Sequence, residues 1–270
     1  MLCSEVDLAF LRQLIQSRSG NALDPLRNNL FEARLRSLWQ SLGMSSLGEL
    51  VHQLRFASDP LLEQSVVEAM TINETSFFRD HAPFDLLREE LLPRLIRARR
   101  AERRLLFWSA ACSSGQEAYS LAMLLRDGFP HLADWKIEIL GTDLHATMIQ
   151  RARRGRYQRF EVNRGLPARY LLRYFRRDGE EWEVDPALRA ICRFEQKNLL
   201  HFAPFLTKFD GILLRNVLFY FSSATQQSIL SRVHASLRSD GFLLLGPSEC
   251  AHQPGWRPVL HRNVCYYIPE

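Results

Sequence analysis

The sequence is poor in the residues that build disulfide frameworks, metal centres and membrane spans. Its five cysteines, Cys3, Cys112, Cys192, Cys250 and Cys265, are odd in number, widely scattered and never in CxxC spacing. That pattern supports neither a disulfide framework nor a zinc site. The eight histidines show no metal-ligand spacing either, so no metal is expected. No window approaches the roughly 18 uninterrupted apolar residues of a membrane span. The opening Met1-Leu2-Cys3-Ser4-Glu5-Val6-Asp7 lacks the basic start of a signal peptide, and a cytoplasmic location is the expectation. Internal repeats and low-complexity linkers are also missing. What is present is a 270-residue chain with 46% hydrophobic and 24% charged residues, the profile of one large globular domain or two modest ones.

The net charge is +5 and the pI near 9.1, a balance also seen in nucleic-acid binders. Its distribution argues otherwise. From Arg151 to Arg177 the chain holds ten arginines against the single acid Glu161, so this block carries +9 and the rest of the chain −4. Such a block reads either as a solvated helix face or as a docking surface.

Up to Met70 the pattern is helical. Phe31, Leu35, Leu38 and Leu42 recur at three- and four-residue steps and give one apolar face, with Arg27 and Arg34 on its flank. Ser58-Asp59-Pro60 is a cap-and-proline start for a further helix to Met70. Pro83 to about Arg100 reads as a helix bent at Pro93, which has no amide hydrogen to give the ladder.

From there short apolar runs alternate with helical segments. The runs are Leu105–Trp108, Ile137–Leu140, Cys192–Glu195, Gly211–Leu214 and Phe242–Leu245, with helices expected over Glu117–Arg126, Ala146–Arg153 and Thr225–Leu237. Strand and helix in alternation predict an α/β fold, a doubly wound parallel sheet. Val264–Ile268 adds a strand that such a sheet accepts as antiparallel. An insertion from about Tyr157 to Pro186 contains a hairpin, with Asp178-Gly179 as its turn.

Ligands of such sheets bind beyond the carboxyl ends of the strands. After the first strand comes Ser109-Ala110-Ala111-Cys112-Ser113-Ser114-Gly115-Gln116-Glu117, whose small residues admit a ligand close to the backbone. One glycine stands where a pyrophosphate cradle would show GxGxxG. The second strand ends at Gly141-Thr142-Asp143; a carboxylate there either accepts from ribose hydroxyls or caps the next helix. Loop and acid together favour a nucleoside without demanding phosphates, and S-adenosyl-L-methionine fits that description best.

Five separated segments carry a more specific likeness: Asn73-Glu74-Thr75-Ser76-Phe77-Phe78-Arg79, Trp108 to Ser120, Gly141-Thr142-Asp143, Phe209-Asp210-Gly211, and Arg215-Asn216-Val217-Leu218-Phe219-Tyr220-Phe221. In order and spacing the chain resembles the CheR family, the chemotaxis receptor methyltransferases. The resemblance implies a small all-α N-terminal domain over residues 1–72. It implies a Rossmann-like methyltransferase domain over 73–270, with the insertion at about 157–186 as a β-subdomain. The implied reaction moves a methyl group from S-adenosyl-L-methionine to glutamate side chains of chemoreceptors, leaving S-adenosyl-L-homocysteine. The implied partner is the cytoplasmic helical domain of those receptors, reached by recruitment to membrane-bound arrays, with no nucleic acid and no membrane insertion.

Residue by residue, the resemblance places Asn73, Thr75 and Arg79 on the cofactor, Arg79 as partner of its carboxylate. Glu117 is implied to hold the amino group and Asp143 the ribose. Asn198-Leu199 and Asn216-Val217 frame the adenine and methionine portions, and Tyr220 is the residue nearest the transferred methyl. Read alone, Asn73-Glu74-Thr75 is also a glycosylation sequon, and Tyr220 and Phe221 are also plausible core aromatics. Where relatives commonly have Gly-Glu-Glu-Pro, this chain has Gly115-Gln116-Glu117-Ala118, which keeps the second acid. Its hairpin is short beside those of members that dock on a receptor tail peptide, so a tail-independent member is expected. The alternatives are an RNA or small-molecule methyltransferase and a non-catalytic adaptor.

Overall fold

Capping chemistry and apolar stripes define the first helices. The structure is a computed structural model describing residues 3–57 and 59–270. Helix α1 (Glu5–Ser19) opens on Ser4, whose hydroxyl accepts from the Asp7 amide while the Asp7 carboxylate accepts from the Ser4 amide, and it closes on Gly20 in the left-handed conformation. Helix α2 (Asn29–Ser41) buries Phe31, Leu35 and Trp39, while Leu42 lies beyond its end and is exposed. Arg27 precedes the helix, so of the expected flanking pair only Arg34 is helical; it donates to the Met70 carbonyl at 2.8 Å. Helices α3 (Leu47–Phe56) and α4 (Pro60–Met70) follow. Asp59 caps α4 by accepting from Leu61 and Leu62, with Pro60 in the first turn; Ser58 of the predicted cap lies outside the described residues. Leu11, Ile15, Phe31, Leu35, Leu50 and Met70 meet in one core. Each such side chain contributes roughly 1.5–3 kcal/mol by leaving water.

The chain divides into two units, Met1–Ile72 with Tyr220–Gln226, and Asn73–Phe219 with Gln227–Glu270. In the second, α5 (Ala82–Leu86) runs through a π-helical turn at Leu87–Leu91 into α6 (Leu92–Ala98). The predicted bend at Pro93 therefore takes the form of one wide turn just before the proline, where the ladder must open anyway.

Next come β1 (Arg104–Ala110), α7 (Gln116–Gly128), β2 (Lys136–Asp143) and α8 (Ala146–Arg154). The insertion contributes β3 (Arg156–Gln158), α9 (Arg159–Val162), α10 (Ala168–Tyr174), β4 (Phe175–Asp178) and β5 (Glu181–Val184). After α11 (Pro186–Arg189) come β6 (Cys192–Gln196), β7 (Phe209–Leu214), α12 (Ser223–Ser236), β8 (Leu237–Leu245), β9 (Trp256–His261) and β10 (Val264–Pro269).

The main sheet has seven strands in the order β6-β2-β1-β7-β8-β10-β9. The first five are parallel, and β10 runs antiparallel to both β8 and β9. From β1 the chain winds outward to β2 and β6, then crosses back to β7 and β8. The order thus reverses between β1 and β7, and the crevice at their carboxyl ends is where such a sheet takes a ligand. The insertion is a second sheet, β3-β5-β4, rather than a lone hairpin. Its β4–β5 turn is the two-residue Gly179-Glu180, with Gly179 at φ 63°.

Phe209-Asp210-Gly211 builds the sheet from inside. Asp210 is buried; it accepts from the Leu106 amide at 2.8 Å and from Arg99 Nε at 2.6 Å, tying β7 to the start of β1. Arg99 spends its remaining donors on Asp240. A Cβ on Gly211 would lie 2.3 Å from the Phe242 ring, so only glycine lets that ring cross the strand.

Candidate active site

The ends of β1, β2 and β7 carry the acids and amides expected of the site. Leaving β1, the backbone turns through Ala111 and Ser113, both at positive φ, to Gly115 at φ 94°. A Cβ on Gly115 would sit 2.9 Å from that of Ala152. Close packing and a left-handed conformation therefore both require the one glycine of this loop. Buried phenols pin its far side: Tyr157 donates to the Ser114 carbonyl at 2.7 Å and Tyr119 to that of Ala152 at 2.8 Å. Burial pushes both phenols, and the thiols of Cys112 and Cys192, above their ordinary ranges. These groups stay protonated at neutral pH.

Asp143, at the tip of β2, is buried. One oxygen accepts from the Ser113 amide at 2.8 Å and the other from the His145 amide at 2.9 Å. The residue thus opens the turn into α8 and orders the loop after β1, so the two readings of this acid are compatible. The Ser113 hydroxyl reaches on to the Asn73 carbonyl at 2.8 Å. The Asp143 carbonyl accepts from Lys197, which brings Asn198 and Leu199 to the same strand end.

Glu117 is positioned as closely. Ser109 donates to one oxygen at 2.7 Å and Arg215 to the other at 3.1 Å. Arg215 is itself buried, pairs with Asp80 at 2.7 Å and donates to the Arg79 carbonyl at 3.0 Å. Asp80 and His81 take positive φ around this anchor. The Arg79 guanidinium is partly exposed and donates to the Glu74 carbonyl at 3.0 Å. Asn73 and Thr75 are partly buried on the same segment.

Asn216, at φ 59°, follows the end of β7, and Val217 comes next. Tyr220 closes a single 3₁₀ turn, Leu218–Tyr220, and groups with the first unit, its carbonyl accepting from Ala22 at 3.0 Å. The other nine expected site residues lie in the second unit. Reasoning from sequence passed over Ser109, Asp80 and the role of Arg215. A charged residue directly after the wholly buried strand Phe209–Leu214 was the available signal.

Two carboxylates of different settings flank a loop of small residues whose single glycine builds no phosphate cradle. That donor set fits a nucleoside carrying a cationic amino group. The description "CheR methyltransferase, SAM binding domain" belongs to the family model that matches residues 73–264. The chain belongs to the CheR methyltransferase family. It is 41% identical over 254 residues to "Chemotaxis protein methyltransferase 1" of Pseudomonas aeruginosa, covering 92% of each chain. It is 39% identical to "Chemotaxis protein methyltransferase Cher2" of Pseudomonas putida over the same shares. With "Chemotaxis protein methyltransferase" of Borreliella burgdorferi it shares 30% identity over 97% of this chain and 92% of that one. As a CheR member the chain is a methyltransferase, and S-adenosylmethionine is its cofactor. Among the described residues no helix is long and apolar enough to cross a membrane.

Proposed function

We propose that this methyltransferase esterifies glutamate side chains in the cytoplasmic helical domain of chemoreceptors, releasing S-adenosylhomocysteine. The observation that carries the reading is the 41% identity, spread over 92% of both chains, to a chemotaxis protein methyltransferase. Glu117, held by Ser109 and Arg215, receives the cofactor's amino group; Asp143 receives the ribose hydroxyls. Asn73, Thr75 and Arg79 close over the cofactor, with Arg79 toward its carboxylate. Asn198-Leu199 and Asn216-Val217 frame its two ends.

Bound there, the cofactor supplies a sulfonium methyl, an electrophile that asks only for an aligned nucleophile. A glutamate carboxylate, with a reference pKa of about 4.3, is already ionised at neutral pH, so the chain need supply no general base. Its work is alignment and partial desolvation, which can lower a barrier by about 7–11 kcal/mol. Tyr220 orients the carboxylate through its hydroxyl without the strong pairing that would quench it. The small sheet, with four-residue strands β4 and β5, supports action on receptors without capture of a C-terminal tail peptide.

A non-catalytic adaptor would be favoured if Gln116, standing where relatives commonly have an acid, cost the site a cofactor-binding group, but that side chain is buried and accepts from the Ser114 hydroxyl within the loop at 2.9 Å. Its replacement of an acid therefore removes no group from the Glu117 and Asp143 pair.

The test is to incubate the protein with radiolabelled S-adenosylmethionine and membranes carrying chemoreceptors, full-length or lacking their tails. Label released from both receptors as methanol by alkali is expected. Label in RNA, or none in protein, would overturn the substrate; loss only with truncated receptors would overturn tail independence.

A further inference from the structure

Beyond β8 the chain makes a short turn, Gly246-Pro247-Ser248-Glu249, to which neither the motifs nor the reaction assigns any part. Glu249 is buried, with 9% of its surface exposed. Its carboxylate accepts four backbone amides. One oxygen takes Asn216 at 2.8 Å and Gly246 at 2.6 Å; the other takes Val217 at 2.7 Å and Leu218 at 2.6 Å. Three of these amides are consecutive, a concave backbone turn that binds an anion, here built into the chain. Asn216 reaches the needed shape at φ 59°, a left-handed conformation that asparagine adopts more readily than other residues with a side chain. Gly246 completes the arrangement: a Cβ there would lie 2.6 Å from Glu249 Oε2 and 2.9 Å from the Asn216 nitrogen.

The geometry assigns Glu249 as the positioning residue of the segment Asn216–Leu218. The inference rests on the reading that Asn216-Val217 frame the cofactor, and deepens it. With four donors on its two oxygens, Glu249 offers a substrate no good site for proton transfer; its action runs through the loop. The segment is gripped from both ends, by the Arg215 side chain on Glu117 and by the next three amides on Glu249. A carboxylate alone suits this task. In Glu249→Gln one oxygen can serve two amides, and the amide nitrogen would face the other two donor to donor. Glu249→Asp keeps both acceptors one methylene further away.

Calorimetry of S-adenosylhomocysteine binding, with deuterium exchange of the peptide spanning 215–219, tests this. Glu249→Gln should weaken binding by roughly tenfold or more and speed exchange in that peptide; Glu249→Asp should fall between it and the wild type. A melting point lowered without a change in affinity marks a merely structural residue and overturns the proposal. If Glu249→Gln does not fold, Glu249→Asp is read by the same measurements. In the unaltered chain, free exchange of the 216–218 amides overturns the proposal outright. Asp143→Ala separates the two levels: binding lost there but intact in Glu249→Gln sinks only the positioning role, whereas binding intact in both sinks the site itself.

Discussion

Glu117, in the first turn of α7, and Asp143, at the tip of β2, are both acids, yet their surroundings differ. Asp143 accepts the backbone amides of Ser113 and His145, and the ribose role proposed for it asks for an acceptor of neutral hydroxyls. Asp143→Ala is expected to abolish cofactor binding in calorimetry, and unchanged affinity would remove it from the ribose. Tyr220→Phe should leave that affinity in place and lower turnover, the pattern of a group that acts on the bound substrate. Arg215 is different again. Its side chain is only 1% exposed and answers Glu117 and Asp80 together. Arg215→Met would leave Glu117 with the Ser109 hydroxyl alone and release the exposed Asp80 to water, and should cost about 1–3 kcal/mol in denaturant unfolding, besides weakening the cofactor. A loss under about 1 kcal/mol would mean that Ser109 alone suffices for Glu117. The acids were legible in the sequence because each sits in a motif of fixed spacing. The arginine's role was not, since it depends on β7 lying beside β1, a pairing between residues a hundred positions apart.

At the scale of elements, the loop between β1 and α7 works because one residue lacks a side chain. Gly115→Ala meets both a strained φ and the Ala152 methyl, and should destabilise the chain by about 1–3 kcal/mol, read as a shift of the denaturant midpoint. Affinity for the cofactor should fall with it, because Ser113 and Glu117 flank the same turn. A wild-type midpoint would show that the loop relaxes without cost. The long strands and helices were readable from apolar periodicity, but β3 and β9 were not. Strand β3 has three residues, too few to show alternation. Strand β9 contains Pro258, ordinarily a strand breaker, and tolerates it because β9 is the sheet's outer edge.

Across the whole molecule, half of the arginine-rich block is taken up in pairings with acids. Arg151 meets Glu161, Arg164 meets Glu74, Arg173 meets Asp127, and Arg156 and Arg176 meet acids of β4 and β5. Composition exposed the block, but the pairing acids Glu74, Asp127, Asp178 and Glu183 lie outside the run or at its far end and are brought in by folding. Five of the block's ten arginines are thus committed to acids, two of them on the small sheet, which leaves less of the charge to attract a polyanion. Glu183 is the keystone of the pairings on that sheet: 16% exposed, it lies 3.2 Å from Arg176, 3.2 Å from Arg189 and 3.9 Å from Arg156. Removing one exposed arginine loses one weak pair, whereas removing the acid takes away the partner of both Arg176 and Arg189, while Arg156 keeps Asp178 and Glu181. Glu183→Gln should therefore lower the midpoint by about 1–2 kcal/mol, and Arg176→Gln by less than about 0.5 kcal/mol. Added salt should restore part of the first loss by screening the repulsion among these arginines. Equal effects of the two substitutions, or a loss that deepens with salt, would show that the arginines are held by something other than this acid.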